Sequence, residues 1–67
     1  MTLKTTVDRY LEAIMLIDEW EIDAARNVLA NCKDDETVII VDLLSSGDSM
    51  EIMEARSMLK NAVAYME

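Results

Sequence analysis

The sequence predicts an all-α fold of four short helices, and three observations carry that prediction. There is no proline and a single glycine, Gly47, so the residues that interrupt helices are almost missing. Apolar residues recur at three- and four-residue spacing over long stretches. A shift of thirty residues also lays the chain on itself, so that Asp18, Glu21, Ile22, Ala25, Arg26, Leu29 and Asn31 fall on Asp48, Glu51, Ile52, Ala55, Arg56, Leu59 and Asn61. The shared pattern, Glu-Ile-x-x-Ala-Arg-x-x-Leu-x-Asn, is an amphipathic helix written twice. The chain therefore reads as one domain, 1–67, made of two αα-hairpins at about 5–32 and about 36–67.

The first helix is expected to begin near Thr5 or Thr6, where Thr5-x-x-Asp8 forms a capping box, and to end at Asp18 or Glu19. The second runs from about Glu21 to Cys32, with Ile22, Ala25, Val28, Leu29 and Cys32 on one face and Asp23, Arg26, Asn27 and Ala30 on the other. After the charged segment Lys33 to Glu36 comes the run Thr37 to Leu44, whose β-branched residues alone would suit a strand. A lone strand leaves its backbone groups unpaired, and the thirty-residue shift lays this run on the first helix, so a helix is expected. Gly47 suits a left-handed cap, Asp48 or Ser49 an N-cap, and a last helix follows from about Met50 to the end. The arrangement resembles helical-hairpin repeats in general, in which a small alanine lets paired helices approach closely. The thirty-residue period and the missing Trp, Gly, Tyr and Pro positions set it apart from tetratricopeptide repeats.

At 67 residues the core is small. Such a chain buries only about 60% of the surface it exposes when unfolded, so self-association or docking on a partner is expected to supplement it. Cys32 is the one cysteine and has no disulfide partner. The absence of histidine removes the usual zinc ligand and the commonest general acid–base group, and no glycine-rich phosphate loop or alternating calcium loop is present. These observations predict no catalysis, no cofactor and no metal. The net charge of −8 opposes direct binding to nucleic acid or anionic membrane and favours a basic surface. The apolar runs Ile14 to Ile17 and Val38 to Val41 are far too short to span a membrane, and with a lone thiol they suggest the cytoplasm.

Acidic residues gather in two knots. Asp18, Glu19, Glu21 and Asp23 surround Trp20 at the first turn between helices, and Asp34, Asp35 and Glu36 fill the central loop. Both are read either as solvated helix ends or as electrostatic steering toward a partner. Trp20, the sole tryptophan, either covers the hairpin junction or anchors an interface. Six methionines suit gap-filling in the core, but Met53 lies on the polar side of the last helix with Ser57 and Lys60. Leu16 falls outside the apolar arc of the first helix, among Arg9, Glu12 and Glu19. Cys32 is expected to be a small buried hydrophobe.

The expected function is a small acidic protein-binding module, a homodimer, that regulates or inhibits a larger protein. Leu16, Trp20 and Met53 would supply apolar contacts, and the seven carboxylates of the two knots the steering. One alternative is a nucleic-acid mimic that blocks a basic DNA- or RNA-binding surface, similar in outline to small acidic proteins of viral or mobile-element origin. The other is a self-assembling structural subunit.

Overall fold

The computed structural model describes residues 5–32 and 34–66; Lys33, at the start of the charged central segment, lies outside them. Four helices follow one another: α1 (Thr6–Asp18), α2 (Ile22–Leu29), α3 (Asp35–Ser45) and α4 (Ser49–Met66). Among the described residues there is no strand, and the β-branched run Thr37 to Leu44 lies within α3. No helix is long and apolar enough to cross a membrane.

Local chemistry accounts for the ends. Thr5 and Asp8 exchange the two capping-box hydrogen bonds: Asp8 N–H donates to Thr5 Oγ1 at 3.2 Å, and Thr5 N–H to Asp8 Oδ2 at 3.4 Å. Helix α3 starts two residues earlier than expected, because Asp35 and Glu36 sit favourably in its positively polarised first turn. Helix α2 stops at Leu29, earlier than expected. Beyond it the Cys32 N–H turns back to the Leu29 carbonyl at 2.9 Å, and the Asn31 amide donates to the Asn27 carbonyl. The acidic segment that follows is disfavoured at a negatively polarised C-terminus. Ser45, Ser46 and Asp48 serve the last turn: each serine hydroxyl donates to a carbonyl of α3, and Asp48 Oδ1 accepts from the Met50 N–H at 2.9 Å. Gly47 adopts φ +78°, the left-handed conformation expected of it.

The helices pack in a ring, α1 on α2, α2 on α3, α3 on α4, and α4 back on α1. The radius of gyration, 10.9 Å, equals the roughly 11 Å expected for a compact chain of this length. One face of each helix fills the centre: Tyr10, Ala13 and Ile17 from α1, Ala25 and Leu29 from α2, Ile40 and Leu44 from α3, and Ile52, Ala55, Leu59, Ala62 and Val63 from α4. The alanines at helix contacts (Ala13, Ala25 and Ala55, all wholly buried) let the backbones approach closely, which a chain without phenylalanine needs if its core is to close.

Across the ring, Tyr10 of α1 and Thr37 of α3 join through their hydroxyls at 2.5 Å, both buried. Burial holds the Tyr10 phenol above its ordinary value; the Thr37 hydrogen bond acts the other way, and nearby Glu36 and Asp34 add to the rise. A buried hydroxyl without a partner costs about 1–3 kcal/mol, whereas removing both members of a pair is nearly neutral. Thr37→Val alone is therefore expected to destabilise by about that amount, and adding Tyr10→Phe to recover part of the loss. Urea denaturation of the two single variants and the double variant measures the coupling, and strictly additive losses would show that the bond contributes nothing.

Candidate functional site

The turn between α1 and α2 is built on a backbone conformation that the sequence did not announce. The Trp20 N–H donates to the Ile17 carbonyl at 2.9 Å, and the Glu21 N–H reaches back to the Leu16 carbonyl at 2.7 Å. These are the two bonds of a Schellman cap, which needs a left-handed residue one position past the C-cap, usually glycine. Here that residue is Trp20, at φ +61°, the one non-glycine residue with positive φ among those described. A side chain in this conformation costs roughly 1–2 kcal/mol relative to its right-handed form. The residue is 56% exposed, so only part of the indole is covered by the chain.

Residues of α4 lie beside this turn. Arg56 donates through Nε to Asp18 Oδ1 at 2.6 Å and through a second nitrogen to Asp18 Oδ2 at 3.2 Å. Toward the other end of α1, Leu11 and Ile14 share a shallow groove with Lys60, Val63 and Ala64. The two sets of contacts make α1 and α4 antiparallel. On the first turns of α4, Met50 and Met53 are 80% and 47% exposed.

The guanidinium beside Asp18 holds its carboxyl below the ordinary value of 3.8, chiefly through the hydrogen bond and secondarily through the charges of Arg56 and Lys60. A depressed carboxyl stabilises the fold above its unfolded value, and that stability is lost as pH falls through the folded value. Asp18→Asn is therefore expected to be less stable than the parent at neutral pH, with the difference closing below about pH 4. Urea midpoints measured from pH 7 to pH 3 check this; a difference constant across that range would mean that the pair does not depend on the ionised carboxylate.

The other residues expected at the site are distributed unevenly. Glu19, Glu21 and Asp23 are exposed around Trp20, and Asp23 lies 3.3 Å from Arg26. Leu16 is half-buried and packs against the core, because α1 is enclosed by α2 on one side and α4 on the other. It offers a partner less surface than its place on an isolated helix suggests. The second acidic knot is remote from the first: Asp34 and Glu36 line a recess of about 420 Å³ with Tyr10, Asn61 and Tyr65, toward the start of α1 and the end of α4. Asp35 is exposed in the first turn of α3. The seven carboxylates therefore do not form one surface.

Cys32 is partly buried, and burial pushes its thiol above the ordinary value despite the nearby charge of Arg9. It lies in a groove of about 300 Å³ between α2 and α3 with Leu29 and Val38, in keeping with a packing role. Among the described residues, no group of three or more acidic or thiol side chains converges to hold a metal ion. Several exposed apolar residues had no signal in the reading of the sequence: Met50, Val38, Ile39 and Tyr65. A period count run on each helix alone could have found Val38 and Ile39, which fall on the outer face of α3. No family model matches this chain, and neither a curated protein nor a solved structure matches it.

Proposed function

We propose that this chain is a small, acidic, non-enzymatic protein-binding module of the cytoplasm that regulates or inhibits a larger protein, and that the Trp20 end of the bundle is its contact surface. One observation carries the reading: an exposed tryptophan occupies a left-handed cap that glycine would fill with less strain. Strained backbone persists where surrounding structure enforces it and clusters at ligand-binding sites. An indole that neither relaxes the turn nor fills the core is best explained by what it does outside the chain. Tryptophan is enriched at interface hot spots, and an apolar centre with a polar rim is the usual anatomy of an interface.

Capture tests this directly. The immobilised chain is exposed to lysate of its source cells beside a variant carrying Glu19→Gln, Glu21→Gln and Asp23→Asn, and each is washed at low and then high salt. An apolar-anchored module keeps its partner at high salt, and the neutralised variant binds more slowly but still binds. A nucleic-acid mimic, the reading favoured by the exposed carboxylates around Trp20, instead loses its partner on neutralisation and at high salt. Capture of nothing but further copies of the chain would contradict both and favour a self-assembling subunit. Homodimer formation remains part of the proposal, supported by Leu11 and Met15, which are exposed on α1. Sedimentation equilibrium of the chain alone would overturn that part by giving the monomer mass throughout.

A further inference from the structure

The recess at the other end of the bundle has a chemistry of its own. Its volume, about 420 Å³, falls within the range of small-molecule sites, roughly 300–1,000 Å³. Buried Tyr10 of α1 lies in its lining with Asp34 and Glu36 at the start of α3 and Asn61 and Tyr65 toward the end of α4; Ala62 and Met66 complete the wall. The polar side chains here are not spent on the fold. Asp34 stands at the N-cap of α3, yet its carboxylate takes no cap hydrogen bond. Asn31 donates to the carbonyl four residues before it, but Asn61, its counterpart thirty residues on, makes no such bond. Among the described residues, no side-chain hydrogen bond or ion pair engages Asp34, Glu36, Asn61 or Tyr65, and no cation lines the recess. The Tyr10 phenol senses both carboxylates: burial raises it first, the Thr37 hydrogen bond opposes that, and the charges of Glu36 and then Asp34 raise it further.

From this lining we infer that the recess binds a short aliphatic diamine or polyamine, protonated at its amines. An alkylammonium group is all donor, and the recess is rich in acceptors: two carboxylates and the Asn61 amide oxygen. The methylene stem between the amines suits the two tyrosine rings, Ala62 and Met66, and an ammonium group over a tyrosine face gains a cation–π contact. Two carboxylates call for two cations, so a diamine satisfies the site where a monoamine or a lysine side chain leaves one charge unanswered. A quaternary ammonium group has no N–H to give to these acceptors, and a hydrated metal ion makes no use of two aromatic rings. An anion is repelled by both carboxylates. The inference is independent of the contact surface at Trp20, which lies at the opposite end of α1.

Calorimetric titration of the full chain at fixed ionic strength tests this with three ligands: diaminobutane with an amine at each end, n-butylamine, and the analogue of the diamine with both nitrogens fully methylated. The diamine is expected to bind with a Kd of about 1 mM or tighter, and each control at least about tenfold more weakly, the equivalent of about 1.4 kcal/mol. Asp34→Asn combined with Glu36→Gln should abolish binding, and Tyr65→Ala should weaken it several-fold while Tyr65→Phe keeps it. All three positions are exposed, so the variants retain the fold, which circular dichroism checks. Glu51→Gln combined with Glu54→Gln removes the same charge from the first turns of α4 and should leave the affinity unchanged. No heat with the diamine would overturn the inference. Equal weakening by the two neutralised pairs would overturn it too, by reducing the interaction to bulk charge. A monoamine that binds as tightly would reassign the recess to a single ammonium group such as a lysine side chain, and a methylated analogue that binds as tightly would remove the hydrogen bonds from the account; either result contradicts a diamine site.

Discussion

Trp20→Gly is expected to stabilise the fold slightly and to weaken partner binding by a factor of roughly 30 or more. The two effects have separate causes. Removing the side chain from a left-handed residue relieves about 1–2 kcal/mol of strain. Glycine also adds conformational freedom to the unfolded chain, which offsets about 0.5–1 kcal/mol of that gain. The Schellman bonds from residues 20 and 21 involve backbone only and survive the change. These two effects together give a gain of about 0–1.5 kcal/mol, visible as a higher urea midpoint at unchanged slope. Trp20→Ala separates the contributions, because it removes the indole and keeps the strain, so it should match glycine in lost binding and fall below it in stability. A glycine variant less stable than the parent would show that the indole holds the hairpin junction together, and would remove the main reason for placing the contact surface there.

Leu59→Ala is expected to have the largest effect on folding. Leu59 is wholly buried on α4, the helix that packs on both α1 and α3. Truncating a buried leucine costs about 2.7–5 kcal/mol, while a chain of this length has a total stability of roughly 3–10 kcal/mol. The variant should be largely unfolded near 37 °C, or folded only when a partner is added. Thermal melting followed at 222 nm measures this, and a midpoint within a few degrees of the parent would mean that the core is less dependent on α4 than its packing indicates.

The parts of the fold legible in the sequence are those set by neighbouring residues. The Thr5–Asp8 box, the Asp48 cap and the left-handed Gly47 follow from side-chain chemistry within a few positions, and the structure has each of them. The buried faces of α2 and α4 were also readable, since Ala25 and Ala55, and Leu29 and Leu59, recur in the pattern and are all wholly buried. What depends on distant parts of the chain was not. Leu16 falls outside the apolar arc of one helix drawn alone, yet it is half-buried against the core, because α1 has neighbours on two sides. Asp18 belongs to an acidic knot by sequence, and its pairing with Arg56, thirty-eight residues away, has no local signal. The left-handed turn was hidden for a different reason: composition marks such positions by glycine or asparagine, and here a tryptophan holds one. Its residue identity suggested an interface, but only the backbone shows how unusual its place is.

The most direct measurement of the central claim is photo-crosslinking in the source cells, with p-benzoylphenylalanine in place of Trp20 and, separately, in place of Tyr65, which is 93% exposed and lines the recess at the other end of the bundle. A contact surface at the Trp20 end predicts a crosslinked product with a second protein from position 20 and none from position 65. Products from position 65 alone, or from position 20 only with another copy of the same chain, would contradict it.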